Sequence, residues 1–525
     1  MKRTIRLAAA AVAAILAAGG AAAQNLTMAV GAPVTSLDPH FHQLSPNNAA
    51  AQMIFSRLVG TDAQSRMVPD LAESWRAVEP TVWEFRLRRG VRFHNGSDFT
   101  AEDVAFTIER VPNVPNSPSS FAGFVRPISR IEVVDSHTLR LHTRSPYPLL
   151  PLDLSNIYIL DRETHANPQT ELFNNGTLAI GTGPFRLIRH AMGDRLELER
   201  NDSYYGEAPA FARVNYRMIT NDSARTAALL AGDVDVIDQV PTADLARLRR
   251  DPRIQLAEVT GLRLIFIGLD HMRDGPSPFI TDHEGRPLER NPLKDLRVRQ
   301  ALSIAIDREA LTSRVMEGSA TPAGQFLPPG VFSHVPDLPP PPFDPDRARR
   351  LLAEAGYPNG FRITLHGPND RYPNDARLIQ AIGQMWTRIG VRTAVEAQTW
   401  TTFIARAGRQ EFSSFLIGWG SNPDGSHPLR NIIACFNRDR GWGNSNRGRY
   451  CNEEIDRGLI AAMSELDEAA RERQLQDLQR RAFQDVAIIP IHIQTNIWAS
   501  RRGFVVEPRT DEQTVAQSVR PAAMR

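Results

Sequence analysis

Cys435 and Cys451 are the only two thiols in this chain of 525 residues, and they lie in one loop-rich stretch near its C-terminal end. Neither belongs to a Cys-x-x-Cys pair of the kind that holds zinc. In an oxidising compartment, two such cysteines form a short-range disulfide that closes a loop of about 15 residues. We therefore predict a disulfide between Cys435 and Cys451. A metal or catalytic role, or two free thiols, are the alternatives.

Motifs that would indicate an enzyme are missing. The sequence contains no Gly-x-x-x-x-Gly-Lys-Ser/Thr phosphate loop, no Gly-x-Ser-x-Gly elbow and no His-Glu-x-x-His zinc helix. His40 and His42 could chelate a metal, but two histidines in a loop are more often ordinary polar residues. We therefore predict no catalytic residues, no metal site and no cofactor.

The N-terminal residues have the pattern of a secretory signal peptide. Lys2, Arg3 and Arg6 precede an apolar run from Leu7 to Ala18, and small residues at 21–23 form a cleavage site. The run is shorter than the roughly 20 residues that a membrane-spanning helix needs. No cysteine follows the cleavage site to carry a lipid. We expect residues 1–23 to be removed and the rest to be a free periplasmic protein.

The charge of the exported part argues against nucleic acid as a partner. Of the 61 lysines and arginines in the chain, three lie in the signal, which leaves 58 against 59 acidic residues. Proteins that bind nucleic acid normally carry a basic excess. The hydrophobic content of 42% and the absence of low-complexity segments instead predict two or three lobes, each with its own core.

Strand and helix signals alternate along the chain. Alternating apolar residues predict strands at 83–88 and 195–200, and Thr100 with Asp103 has the pattern of a helix N-cap. Asp344-Pro345 and Gly356 mark the start and end of another helix. A mixed α/β protein is expected.

Several blocks, in order, resemble one family, the family 5 extracellular solute-binding proteins of ABC importers, which includes dipeptide-, oligopeptide-, glutathione- and nickel-binding proteins. The blocks occupy residues 69–75, 85–96, 100–104, 181–185, 299–307, 351–358 and 489–491. Each block is weak evidence by itself, whereas the ordered set covers essentially the whole exported chain.

The resemblance implies a type II periplasmic-binding-protein fold, in which two lobes close on a ligand about a hinge and a further lobe is inserted in the first. By this similarity we assign lobe I to residues 24–58, 181–268 and 495–525. Residues 59–180 form the inserted lobe II, and residues 269–494 form lobe III. A largely desolvated cleft between lobes makes a few polar contacts strong enough to select a ligand.

The resemblance also indicates ligand-binding residues. In peptide-binding relatives, a tryptophan like Trp419 opens a segment in which an acidic residue three positions later holds the ligand's ammonium group; this chain has Asn422 at that position. We predict that Trp419 begins a turn and that Asp424, two residues beyond Asn422, supplies the missing charge. The alternative is that Asp424 only stabilises its own turn.

Other candidates come from segments that approach the cleft in relatives. Arg371 lies where peptide-binding relatives carry an arginine for the ligand carboxylate, although the match is offset by one or two residues. Trp400, His42 and Ser45 complete the predicted set.

The function expected from the resemblance is that of a periplasmic receptor. It captures a peptide or peptide-like solute by hinge closure and delivers it to the permease subunits of an ABC importer, as a monomer that is not an enzyme. The alternatives are a secreted hydrolase, and a periplasmic sensor or chaperone that kept the fold without transport.

Overall fold

The computed structural model describes residues 25–522, so the predicted signal peptide lies outside the described residues. The strands, numbered along the chain, are β1 Asn25–Val30, β2 Val59–Thr61, β3 Met67–Pro69, β4 Ala72–Glu79, β5 Val82–Leu87, β6 Ile128–Asp135, β7 Thr138–Thr143, β8 Phe185–Ala191, β9 Arg195–Arg200, β10 Arg213–Met218, β11 Val236–Ile237, β12 Ile254–Leu269, β13 Ile280–Thr281, β14 Ala320–Pro322, β15 Arg362–Pro368, β16 Arg392–Gln398, β17 Ser414–Gly420, β18 Ile489–Arg501, β19 Phe504–Val506 and β20 Val519–Pro521.

The α-helices are Ser45–Ile54, Ala101–Arg110, Ala122–Val125, Leu150–Leu154, Thr170–Asn174, Asp222–Ala231, Thr242–Arg250, Leu296–Ile304, Arg308–Ala310, Pro345–Glu354, Asp375–Arg388, Trp400–Gly408, Ser426–Pro428, Glu453–Ala462 and Glu468–Gln484. Short 3₁₀ helices occur at Val111–Asn113, Pro292–Lys294 and Ala516–Ser518, and π-helical turns at Leu311–Val315 and Leu429–Ile433. None of the helices within residues 25–522 combines the length and the apolar character needed to cross a bilayer.

Two long strands join the two halves of the main sheet. This sheet has 12 strands, and β18 and β12 are neighbours in its middle. Beyond β18 lie β11, β1, β10, β9 and β8, and beyond β12 lie β17, β15 and β13, while β14 pairs with β18 and β16 with β15. Strands β12 and β18 pair antiparallel over most of their length, but the ladder is interrupted between Thr260 and Leu264. Because these strands run through both halves, they connect the two main parts of the molecule.

Residues 59–180 contain a separate antiparallel sheet in the order β4-β5-β7-β6. The helix Ala101–Arg110 shares its core, and the predicted cap is present: the side chain of Asp103 accepts a hydrogen bond from the backbone of Thr100, 2.8 Å away. The capping box satisfies two backbone N–H groups that have no partner inside the helix. The position of this sheet between β1 and β8 agrees with an inserted unit; the exact lobe boundaries remain predictions.

Three large hydrophobic cores hold the fold together. One is built mainly around β1, β9 and β10 and another around β15 and the helix Asp375–Arg388. The third combines residues such as Phe85 and Leu141 with Phe415 and Leu459, so that residues 59–180 pack directly on the C-terminal half. The predicted disulfide is confirmed, since Cys435 and Cys451 are bonded and close the loop between them.

Candidate ligand-binding site

A cavity of about 500 Å³ opens between the two halves of the main sheet. It is called the cleft cavity below. Its walls come from stretches that are far apart in the sequence: 42–48, 118–119, 262–266, 371–372, 400–408, 417–422, 445–447 and 510–513, with Asn156, His427 and Ile432. A concave site formed by many separate segments is typical of a ligand pocket.

Strands β12 and β17 place two of the polar groups in the wall. Arg263 and Leu264 of β12 lie opposite Gly420 and Trp419 of β17. The prediction that Trp419 begins a turn is therefore wrong, because the ladder with β12 extends the strand to Gly420. A Cβ atom at Gly420 would lie only 3.2 Å from a guanidinium nitrogen of Arg263, so glycine leaves room for this arginine.

Two arginines share one carboxylate in the cleft cavity. The Nε of Arg263 donates to Glu512 at 2.7 Å, and its Nη2 pairs with the other oxygen of the same carboxylate. The Nη2 of Arg371 lies 3.8 Å from that second oxygen. Asp511 faces the cavity as well but is already paired with Arg509 at 2.6 Å. The cluster therefore carries more positive than negative charge.

The pKa shifts follow from this crowding. Burial alone would raise the pKa of Glu512, but the charge of Arg263 and its hydrogen bond outweigh burial and lower the pKa to about 2. Burial lowers the pKa of Arg371, and the nearby Arg263 lowers it further. Burial and Arg371 also lower the pKa of His42. The surroundings of Arg371 thus disfavour a further positive charge and favour an anion.

Aromatic rings hold Arg371 in place. Its guanidinium carbon lies 5.1 Å from the ring centre of Tyr372 and 5.7 Å from that of Trp400. Tyr372 donates a hydrogen bond to the carbonyl of Gly418 at 3.3 Å. Packing against rings restricts the side chain without using its hydrogen-bond donors.

Several buried polar atoms in the cavity wall have no hydrogen-bond partner within residues 25–522. They are Arg371 Nε, Arg447 Nε, Trp419 Nε1, Asn422 Nδ2, Ser421 Oγ and Gln513 Oε1. Most are donors. Because buried polar groups in folded proteins almost always have partners, a cluster of free donors in one cavity indicates a ligand rich in acceptors.

The structure brings most of the predicted residues together. Residues His42, Ser45, Arg371, Trp400, Trp419 and Asn422 all line the cleft cavity. Their roles remain proposals.

Asp424 lies elsewhere. Its side chain is buried, pairs with Arg471 at 2.6 Å and accepts hydrogen bonds from the backbone N and hydroxyl of Ser426 at 2.9 and 2.6 Å. The proline and glycine beside it do not turn its carboxylate towards Asn422. This placement matches the alternative in which Asp424 stabilises its own surroundings.

His40 and His42 do not form a chelating pair. His40 is buried, with Nε2 against the carbonyl of Tyr158 at 2.8 Å and Nδ1 against Arg110 at 2.7 Å. Among the described residues, no group of three or more His, Cys, Asp or Glu side chains is arranged to hold a metal ion.

Sequence reasoning missed Arg263, Arg447 and Glu512. Arg263 had a usable signal, because it is a charged residue at the head of the apolar run Leu264–Leu269 in a strand that reads as fully buried. Arg447 and Glu512 had none, since each lies in a polar stretch that looks like an exposed loop.

A family comparison agrees with this architecture. Residues 66–438 match the family model described as bacterial extracellular solute-binding proteins, family 5 Middle. The heme-binding protein A of Haemophilus influenzae is 30% identical over 474 residues, which cover 85% of this chain and 82% of that protein. The dipeptide-binding protein of Escherichia coli is 27% identical over 497 residues, with 88% of each chain covered.

The solved structures give the same fold. The ABC transporter-associated periplasmic binding protein DppA from Helicobacter pylori, in complex with the peptide STSA, superposes with a TM-score of 0.82. The alignment covers 95% of this chain and 98% of that one at 23% identity. The predicted type II periplasmic-binding-protein fold is thereby confirmed. The family match and the curated relatives confirm the predicted function of a substrate-binding component of an ABC importer. The chain belongs to family 5 of the bacterial extracellular solute-binding proteins.

Proposed function

We propose that this protein captures a small carboxylate-bearing, peptide-like solute in the cleft cavity and delivers it to the permease of its importer. The observation that carries the proposal is the set of free donors in the cavity wall, above all Arg371 Nε, beside an excess of positive charge. A carboxylate supplies both the acceptors and the negative charge that this wall lacks.

The same charges disfavour a solute that relies on a free ammonium group. Asn422 is neutral, Glu512 is shared by Arg263 and Arg371, and Asp511 is paired with Arg509. A buried ammonium without a counter-charge costs several kcal/mol. We therefore expect solutes whose amine is blocked or absent, such as modified peptides and amino-acid conjugates, to bind more tightly than the dipeptides bound by the Escherichia coli relative.

The remaining parts of the proposal concern the location of the protein and the closure of its lobes during transport. We infer that residues 1–23 direct export to the periplasm without a lipid anchor, and that the protein acts as a monomer and not as an enzyme. Lobes I and III close about β12 and β18, because only closure desolvates the solute and lets the free donors act together.

The identity of the solute is tested by native mass spectrometry of protein purified from the periplasm, followed by identification of the compound released on denaturation. We expect one intact anionic solute per monomer. Turnover of that compound during incubation would indicate the hydrolase, and unchanged uptake after deletion of the gene would indicate a protein without a transport role.

The role of Arg371 is tested with Arg371→Gln against the matched control Arg377→Gln, a surface arginine on the helix that follows. Arg377 is 57% exposed, and its nearest carboxylate lies 4.0 Å away. Calorimetry with the identified solute should show a loss of about 2 to 5 kcal/mol for Arg371→Gln, roughly 30-fold or more, and none for the control. Full affinity in Arg371→Gln would contradict the proposal.

A further inference from the structure

A second cavity of about 300 Å³ lies beside the cleft cavity, between residues 120–147 and residues 427–464. It is called the lateral cavity below. Gln43 and His427 line both cavities. The two walls are about three hundred residues apart in the sequence, and Arg126 joins them: its Nη1 donates to the carbonyls of Arg438 and Asp439 at 2.7 and 2.8 Å.

The lateral cavity is strongly basic. Four arginines line it, Arg126, Arg144, Arg430 and Arg440, against the single acidic residue Asp439. Only Arg430 has a carboxylate partner of its own, Asp153 at 3.0 Å, and even its buried Nε has no hydrogen-bond partner in the described part of the chain. Buried or clustered guanidinium groups normally face carboxylates or other anions.

Apolar side chains from both walls line the lateral cavity as well. Phe124, Trp442, Ile460 and Met463 line it, and Ile460 is 39% exposed although it is a large hydrophobic residue. The guanidinium carbon of Arg440 lies 5.4 Å from the ring centre of Trp442, so cation and ring stand side by side. This combination suits a molecule with an apolar body and an anionic group.

His427, which lines both cavities, is uncharged at neutral pH. The ring of His427 stacks on Phe124 at 6.5 Å between centroids, and burial lowers the pKa of His427 to about 3. Its Nδ1 accepts a hydrogen bond from the backbone N of Asn422 at 3.2 Å, which anchors it in the wall of the cleft cavity. His427 therefore adds no positive charge to either cavity, and the excess in the lateral cavity comes from its arginines.

We propose that the lateral cavity is a second binding site, which takes an organic anion with an aromatic or other apolar body. This proposal concerns a site other than the solute site in the cleft cavity, and it does not depend on that site.

The test uses the aromatic sulfonate 8-anilinonaphthalene-1-sulfonate as the probe, with native full-length protein and fluorescence titration. The double variant Arg144→Gln with Arg440→Gln removes two guanidinium groups that have no carboxylate partner of their own. We expect its dissociation constant for the probe to rise about tenfold or more, because two charge-assisted contacts are lost. Affinity for N-phenyl-1-naphthylamine, which lacks the sulfonate, should stay unchanged.

The matched control is Arg130→Gln with Arg457→Gln. These arginines are 61% and 66% exposed, lie on the same two segments, and change the net charge equally. An equal loss of probe affinity in both double variants would mean that only the overall charge matters, which overturns the proposal. A loss in Arg371→Gln alone would place the probe in the cleft cavity and overturn it as well. Neither result bears on the solute site, which Arg371→Gln tests with its own solute.

Discussion

Two acidic side chains near the cleft have opposite surroundings. Asp424 forms an ion pair with one cation, Arg471, and accepts from two donors of Ser426, so both of its oxygens are used within its own neighbourhood. Glu512 faces two cations, Arg263 and Arg371, and lines the cleft cavity.

The number of cations paired with each carboxylate distinguishes the stabilising Asp424 from the cavity-lining Glu512. Distance along the chain from the Trp419 segment does not distinguish them. A carboxylate paired with one cation neutralises that cation and leaves no charge to attract a ligand. A carboxylate shared by two cations leaves part of their positive charge unbalanced, and an anionic solute can neutralise it.

The largest expected effect comes from Glu512→Gln, which breaks the shared arrangement. It leaves Arg263 buried without a counter-charge, and breaking a buried pair in this way costs about 3 to 5 kcal/mol. Urea unfolding should show this loss, while Glu507→Gln, an exposed change on the same C-terminal segment, should leave stability unchanged. Wild-type stability in Glu512→Gln would remove the distinction between the two carboxylates.

The pH dependence of the stability difference between wild type and Glu512→Gln provides a second test. The pKa of Glu512 falls from its ordinary value of 4.5 to about 2 on folding. A lowered pKa gives stability that is fully present above pH 4.5 and is lost as the pH falls through about 2. The stability gap between wild type and Glu512→Gln should therefore be constant near neutral pH and shrink to about half by about pH 3. A gap independent of pH would show that the carboxylate is not held by the arginines.

A smaller effect is expected for Asp424→Asn. Arg471 would lose its buried partner, at a cost of about 3 kcal/mol in stability, and affinity for the solute should not change. Arg471→Gln, the other half of the pair, should behave the same way. If instead Asp424→Asn weakened solute binding by about 30-fold without loss of stability, Asp424 would be the ligand's counter-charge as first predicted.

The smallest effect is expected for Trp419→Phe, which keeps an aromatic ring but removes the indole N–H. Because Nε1 has no partner within the described residues, stability should hold. Affinity for the solute should fall by about 1 kcal/mol, roughly fivefold. Trp498→Phe is the matched control, because the Nε1 of Trp498 already donates a hydrogen bond to the hydroxyl of Thr514 at 2.8 Å. That variant should lose stability and keep affinity.

Sequence reasoning succeeded where the determining contacts lie within a few residues. Thr100 and Asp103 satisfy each other across one helical turn, and Gly356 adopts a positive φ of 93° just past the helix Pro345–Glu354. The alternation at 195–200 also gave a strand, because its burial depends on a simple period of two.

It failed where the contacts join distant segments. Glu512 meets Arg263 across 249 residues and has a positive φ of 61°, which no local pattern predicts for a glutamate. The pairing of Asp424 with Arg471 joins a turn to a helix 47 residues later. Six of the seven predicted ligand-binding residues line the cleft cavity because the family resemblance carried over segment positions, and the seventh was inferred from nearness in sequence alone.

The interruption in the β12–β18 ladder has a mechanical consequence. Between the paired residues Thr260 and Leu264 on one strand, and Thr495 and Ile493 on the other, regular pairing is lost. Closure about β12 and β18, as proposed above, would turn the two halves of the sheet about this interval. Because Arg263 lies inside it, we expect this side chain to move less on closure than the groups further out along β17 and in the turn after it.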